Sequence, residues 1–439
     1  MSTSKTETME LSADYMKTIL ARVKAAGFDD AEVIGSSDAA TEMQIDAGDI
    51  SLLRDTENIG LTLRGLMGGR YASVSLNQLD TKSVDRGIAK MREAAQAAPV
   101  DSARAFASKH DAKPIAEGAR EPSLEDMYGR VNAFASDVSK RYPEIKLEQS
   151  ALKFQRDRMV RVNSHGLELD ETEGYYSFGA MFTSKRGEKM SSFNFSGAVA
   201  KDLSKELLQW GAFERLMANS VKEIDHTPFE GKHKLPVLLA PEVVFDLMGT
   251  WFSHLQDLRL IADTSQLKGK IGEQVASPLL TVRAEPRSPE FAKHEHSTGD
   301  GYASKPSTIL EKGVLKTYLL SDYGSRKTGL PRSENSFSNS VIEAGPSSVE
   351  EMIKGIKHGL MLARFSGGNP SANGDFSGVA KNSFLIEDGR VTRPVSEVSI
   401  SGNAFELMRS VKAVSRERLN DGTSLTPWIQ VDGLTLSGS

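Results

Sequence analysis

The sequence predicts an α+β protein, and three observations carry that expectation. Twice in the first half of the chain the apolar spacing changes from helical to alternating and back. From about residue 230 the texture changes to many short apolar runs separated by turn residues. The 439 residues, at roughly 150 per domain, suggest about three domains. The expected architecture is a duplicated N-terminal helix/antiparallel-sheet portion followed by a strand-rich C-terminal domain. That second part should be barrel- or sandwich-like, with outer helices. The boundaries fall at 10–98 for an N-terminal α+β domain, 99–122 for a linker, 123–226 for a central α+β domain and 227–439 for the strand-rich domain.

The elements follow in chain order. The first nine residues read as a disordered tail. Leu11, Tyr15, Ile19 and Val23 then recur at near-helical spacing, with Ser12 as N-cap, Gly27 as stop and Leu11–Met16 as a hydrophobic staple. Ile59 to Leu76 alternates through Leu61, Leu63, Ala72, Val74 and Leu76 and is broken by Gly65, Gly68 and Gly69, which reads as a hairpin. Val84, Ile88, Met91 and Ala95 restore a helix that Pro99 ends. Residues 99–122 have no period. Ser123 opens a helix carrying Met127, Val131, Phe134 and Val138. Tyr176, Phe178, Ala180 and Phe182 alternate, Lys185 to Gly187 turns, and Phe193 and Phe195 return. Leu203, Leu207, Trp210, Phe213, Met217 and Val221 then predict one further helix. The order helix, strands, hairpin, helix thus occurs twice and implies a structural duplication, with helices on one face of the sheet.

Farther on, Leu235 to Leu239 reads as a strand and Glu242 to Leu255 as a helix. Leu279 to Val282, Val314 to Leu319, Phe384 to Ile386 and Val391 to Val395 read as short strands, the last two flanking an Asp388–Gly389 hairpin turn. Ser348 with Glu351, and Asn403 with Glu406, mark two helix starts.

Composition excludes several classes of function. Apolar residues make up 39%, charged residues 26% and the net charge is −5, with no basic stripe for nucleic acid. Without cysteine there are no disulfides, thiolate nucleophiles or thiolate metal ligands. The most apolar segment, Leu235 to Phe252, contains Glu242 and Asp246 and suits a buried strand and helix rather than a membrane span. The N-terminal residues lack the apolar stretch of a secretory signal, and a cytoplasmic location is expected.

The residues alone identify no catalytic centre. His294–Glu295–His296 is the tight histidine cluster; in an extended segment both imidazoles would point to one side and could share a metal. Its polar surroundings, Arg287 to Gly301, favour an exposed loop, so no metal site is assigned. Asp46 with Asp49, and Glu168 with Asp170 and Glu171, read as solvated faces, and Trp210 and Trp251 as core. The Gly367 to Gly378 loop, rich in small residues, is a candidate groove wall, with Gly374, Asp375, Phe376 and Ser377 as candidate substrate-binding residues.

Five segments in order resemble one family. They are Val162-Asn163-Ser164-His165-Gly166-Leu167, Lys270 to Ser277 (KIGEQVAS), Leu310 to Leu320 (LEKGVLKTYLL), Gly374-Asp375-Phe376-Ser377-Gly378 and Ile400-Ser401-Gly402-Asn403. Together they resemble the TldD/PmbA family, specifically its PmbA (TldE) branch, over about residues 11–438. The resemblance implies a subunit of a cytoplasmic heterodimeric metalloprotease that processes or degrades unfolded peptides. The older label, modulator of DNA gyrase, belongs to the same family. In the TldD branch a helix with two histidines, a glutamate directly after the first, and a later cysteine hold zinc. Counting back from Gly272–Ser277, those helix positions fall on Met248, Gly249 and Ser253, with His254 nearby.

The resemblance therefore implies a non-catalytic chain with no cofactor of its own. Zinc is expected on a TldD-type catalytic partner, and this chain would complete the cavity for unfolded peptides. A homodimer is expected in the partner's absence, with neither nucleic acid nor membrane as partner. Two other functions compete: a self-sufficient hydrolase using His294 and His296, and a non-enzymatic adaptor for toxin- or gyrase-related clients.

Overall fold

The structure, a computed structural model, describes residues 11–46, 49–367, 370–396 and 398–438, and the expected N-terminal tail lies outside them. Helix α1 (Ala13–Ala25) starts where the Ser12 side chain accepts the Tyr15 N–H, and Leu11 and Met16 are buried together across that cap. Gly27 leaves the helix at φ +95°. Strands β1 (Asp30–Asp46) and β2 (Asp49–Met67) form a long antiparallel hairpin, and β3 (Arg70–Leu76) folds back on β2. The β2–β3 turn is Gly68–Gly69, at φ +56° and +73°, the two positive values that a type I′ turn demands. Gly65 belongs inside β2 rather than to the turn, opposite Ala72, where a Cβ would stand 2.4 Å from the Phe28 ring.

Helix α2 (Thr81–Ala97) buries Val84, Ile88, Met91 and Ala95. Residues 99–122 run packed over the protein. Phe106 and Ala107 are buried there, and β4 (Ile115–Gly118) joins the sheet in parallel pairing. Helix α3 (Leu124–Arg141), capped by Ser123, leads into β5 (Ile145–Asn163) and β6 (Glu168–Arg186). The strand Asn194–Ala200 returns along β6, and α4 (Phe213–Glu223) completes the second half. The periodic run from Leu203 is not one helix. It breaks into a 3₁₀ turn, Leu207–Gln209, and α4, because Gly211 takes φ +50° between them. Its apolar side chains nonetheless remain in one core.

The two halves meet edge to edge in a single sheet of order β3-β2-β1-β5-β6, with Asn194–Ala200 and β4 sharing the far side of β6. Strands β1 and β5 pair antiparallel from Glu32–Asn163 to Ile45–Ser150, and Asp38 lies opposite Asp157 near the middle. The duplication is thus visible as helix, hairpin, third strand and helix on either side of this seam. Val33 and Met43 share one parity in β1, as Leu152 and Val160 do in β5. Val33 and Val160 pack in one helix-covered core and Met43 and Leu152 in the other, so both helix pairs cover the same face. In the α3–α4 core, Phe178 meets Phe134 at 4.7 Å and Phe213 at 5.1 Å between ring centroids.

The C-terminal part is built on the strand Lys232–Leu239, antiparallel to Leu425–Ser437 and parallel to His358–Leu362. Further strands extend this sheet, which curls around an apolar core. Helix α5 (Pro241–Ser253) contributes Val243, Val244, Leu247, Met248, Trp251 and Phe252 to that core. Asp388 and Gly389, at φ +47° and +75°, make the expected hairpin turn, and Ser348 and Glu351 close both bonds of a capping box. The strand expected at Val314–Leu319 is shorter, Val314–Leu315. Tyr318 leaves the ladder, and its hydroxyl donates to the Leu267 carbonyl (2.9 Å) and accepts from Gly269 N–H (2.7 Å). No helix among the described residues is long and apolar enough to cross a membrane.

Phe178 is buried between two aromatic neighbours, so Phe178→Ala should cost about 3–5 kcal/mol. Urea unfolding monitored by far-UV dichroism should show the loss; a change below about 1 kcal/mol would contradict this packing.

Candidate functional site

Within the Arg287–Gly301 stretch, expected to be an exposed polar loop, the residues from Lys293 onward are instead clamped between the C-terminal part and the N-terminal sheet. Lys293 Nζ reaches Asp157 Oδ2 (2.9 Å) and the Tyr175 hydroxyl (2.6 Å). His294 N–H donates to Glu173 Oε1 (2.8 Å), and Ser297 Oγ to Glu171 Oε2 (3.0 Å). Arg161 donates to the Gly299 carbonyl (3.2 Å). On the other side Glu295 accepts from Ser304 Oγ (2.5 Å) and from the N–H groups of Ser336 (2.7 Å) and Ser338 (3.2 Å). Of the residues 293–297, Lys293, His294 and Ser297 thus reach the N-terminal sheet while Glu295 turns to the opposite side.

This docking also corrects the reading of Glu168, Asp170 and Glu171 as one solvated face. Glu168 is exposed and paired with Lys17 (2.6 Å), and Asp170 is held by Arg158 at 3.0 Å. Glu171 and its neighbour in phase, Glu173, turn toward the C-terminal part, where burial raises both carboxyl groups above their ordinary range.

Four potential ligands converge here: Glu117 on β4, Glu173 on β6, and His294 and His296. His294 Nδ1 lies 3.0 Å from both Glu117 Oε2 and Glu173 Oε1, and its Nε2 lies 3.2 Å from the Ser288 carbonyl. His296 Nε2 is 3.9 Å from each of the same carboxylate oxygens. Neither ring nitrogen of His296 has a hydrogen-bond partner, and burial depresses its basicity. Two cavities, of about 280 and 540 Å³, flank the cluster and share Glu171, His296 and Ser297. A cleft of about 580 Å³ opens between the sheet and the C-terminal part, lined by Glu32, Arg64, Arg104, Asp257, Asp300 and Tyr323 among others.

The positions that the resemblance assigns to a catalytic metal helix lie on α5. Met248 is buried in the core, and Ser253 Oγ donates to the Thr250 carbonyl (2.6 Å). His254 is fully buried against Phe405 (4.9 Å), its Nδ1 accepts the Gln266 N–H (3.1 Å), and burial lowers its pKa to about 4. One imidazole in an apolar wall does not fit a three-ligand zinc site, and Gly249 supplies no base.

The candidate substrate residues sit at the start of the strand Asp375–Lys381. Gly374 takes φ +92° against the Phe405 ring. The Asp375 carboxylate accepts from Asn373 (2.7 Å) and Asn403 (2.8 Å), which ties the loop to a helix cap. Phe376 is buried beside Phe365, whereas Ser377 is exposed opposite Ser401. Residues 368 and 369 of the same loop lie outside the described residues.

An apolar patch occupies one end of the sheet: Met181 (37% exposed), Met190 (53%), Phe193 (45%) and Phe195 (55%). Arg364 lies over Phe193 at 4.0 Å and Phe195 at 4.8 Å and donates to the Phe193 carbonyl (2.6 Å). Near Arg364, burial pushes the Glu223 carboxyl from 4.5 up to about 9, and neither of its oxygens has a hydrogen-bond partner. The folded chain keeps a proton that the unfolded chain releases. Stability from this group is complete below 4.5 and is lost as pH rises toward about 9. Between pH 5 and 9 the melting temperature of the wild type should therefore fall relative to Glu223→Gln; parallel curves would refute the buried neutral carboxyl.

Residues 232–438 match the family model described as the PmbA/TldA metallopeptidase C-terminal domain. A metalloprotease of Methanothermobacter thermautotrophicus is 28% identical over 253 residues, covering 51% of this chain and 56% of that protein. Metalloprotease PmbA of Escherichia coli O157:H7 is 27% identical over 208 residues, covering 46% of each. The chain thus spans about half the length of these curated relatives. The crystal structure of TldE from Thermococcus kodakarensis superposes with a TM-score of 0.84 at 19% identity, covering 97% of this chain and all of that one. A Bacteroides thetaiotaomicron structure named for modulation of DNA gyrase gives 0.85 at 24% identity, covering 97% and 98%. The C-terminal part, residues 232–438, thus belongs to the PmbA/TldD metallopeptidase family, and the chain as a whole shares the fold of TldE.

Proposed function

We propose that this chain is a PmbA/TldE-type subunit that completes the substrate cavity of a metalloprotease acting on unfolded peptides, with the catalytic zinc on a TldD-type partner. The observation that carries this reading is α5. Where the TldD branch is expected to hold metal ligands and a base, this helix presents Met248, Gly249 and Ser253, and the chain has no cysteine. Without a polarising metal or a positioned base, peptide hydrolysis has no activated water.

Two features support a cavity-completing role. The Met181–Phe195 patch with Arg364 offers an apolar, cation-edged face suited to the partner chain, or to a second copy when the partner is absent. The strand Arg364–Gly367 pairs, among the described residues, only with Asp375–Lys381. Its other edge suits an extended peptide added as a strand, with Gly374 to Ser377 in the wall beside it. Backbone pairing of this kind accepts many sequences and requires an unfolded substrate. The cytoplasm is the compartment this role implies.

A second reading, hydrolysis by this chain itself, draws on the His294–His296 cluster beside two cavities. A peptidase assay on an unstructured peptide separates the two. Cleavage is expected only when a TldD-type chain is mixed with this one, and Phe195→Glu should weaken that assembly at least about tenfold, as loss of a central aromatic anchor does. Cleavage by the isolated chain that disappears in a His294→Ala/His296→Ala variant would replace the proposal with the second reading. Stable peptide binding without cleavage, even in the mixture, would replace it with an adaptor role.

A further inference from the structure

We propose that Glu117, Glu173, His294 and His296 bind one divalent transition-metal ion of zinc's class, and that the ion pins the C-terminal part of the chain to the N-terminal sheet. This site is separate from the catalytic zinc placed on the partner, and its existence does not rest on the subunit reading. It also revises the expectation of a metal-free chain.

The donor geometry comes first. Ligand atoms about 2.0–2.2 Å from a tetrahedral ion lie about 3.3–3.6 Å from one another. The imidazole–carboxylate separations, 3.0 Å twice and 3.9 Å twice, straddle that edge length. Small rotations of the two rings would equalise them.

The second observation is an unmet need for positive charge. In the parallel β4–β6 pairing Glu117 stands directly opposite Glu173, and like charges so placed destabilise a strand pair. Gly118 and Gly174 hold these strands close: a Cβ on Gly118 would stand 1.8 Å from the Gly174 carbonyl oxygen. With its Nε2–H directed at the Ser288 carbonyl, a neutral His294 would present a bare Nδ1 lone pair to both carboxylates. That arrangement calls for a cation between them. A proton on Nδ1 would serve His294 alone. It would leave His296, 5% exposed at its side chain, with two buried nitrogens unpartnered. A metal ion satisfies both rings at once, and two carboxylates balance its charge.

The surrounding contacts orient the ligands as metal sites require. The Ser288 carbonyl sets the tautomer of His294, and the His294 N–H holds Glu173 Oε1. Glu295, between the histidines, is anchored to Ser304, Ser336 and Ser338 on the opposite side. Four protein ligands make a closed site, the structural rather than the catalytic form. It would join three chain segments: the short strand at 115–118, β6, and the 293–302 segment.

The test uses the untagged full chain, stripped with chelator and titrated with zinc chloride by calorimetry, with bound metal counted by mass spectrometry after gel filtration. One equivalent should bind, and the melting temperature should rise with free zinc. His294→Ala/His296→Ala should bind none. Glu117→Gln changes a half-exposed side chain on a short strand and should keep the fold; it should lose at least about tenfold in affinity. Should the double variant not fold, Glu117→Gln decides alone. No binding by the wild type, or affinity unchanged in Glu117→Gln, would overturn the proposal. Neither readout involves peptide or partner, so this inference and the subunit reading fail separately.

Discussion

The antiparallel seam between β1 and β5 is the constraint on which the rest of the molecule depends. It runs from Glu32–Asn163 to Ile45–Ser150 and turns two helix-and-hairpin halves into one sheet. Because side chains alternate strictly along a strand, this register places Val33, Met43, Leu152 and Val160 on one side together. A slip of one residue would turn the apolar rows of both halves away from their helices. The same register directs the carboxylates and cations of β5 and β6 toward the C-terminal part.

That second face is where the chain's chemistry collects. Glu171 and Glu173 leave water only because Ser297, His294 and the neighbouring backbone take over their hydrogen bonding. The cost of burying them shows in the direction of their shifts, upward in both cases. Lys293, Arg161 and Arg158 bring compensating charge to the same surface through Asp157, Gly299 and Asp170. The polar segment 293–302 thus serves as mortar between two separately built cores.

The C-terminal core has the opposite character. Its central helix, α5, faces the core with Val243, Leu247, Met248 and Trp251, and its final turn ends at a histidine kept neutral by burial. A helix given over to packing in this way agrees with the cavity-shaping role proposed above. If the chemistry is left to a partner, as proposed, this helix is free for packing, and the exposed Met190, Phe193 and Phe195 offer a face for that second chain to cover.

Most elements were legible in the sequence because local signals and burial agree. Ser12, Ser123 and Ser348 cap helices as their spacing indicates, and the Gly68–Gly69 and Asp388–Gly389 turns take the positive φ values those residues favour. The long helix predicted from Leu203 failed because periodicity reports which side chains are buried, not whether the backbone between them is continuous. The candidate site was half legible: alternation put His294 and His296 on one side of an extended segment, but their polar neighbours pointed to solvent. Glu173 carried a faint signal, being in phase with Glu171 on a strand, whereas Glu117 sat in an aperiodic stretch with none. The sequence by itself determined the helices, the hairpins, the duplication and the absence of thiolate chemistry, since each depends on neighbours within a few residues or on composition. Only the tertiary structure decided that residues 117, 173, 294 and 296 meet. Their proximity follows from strand register and domain docking, which bring together positions with no local relation along the chain.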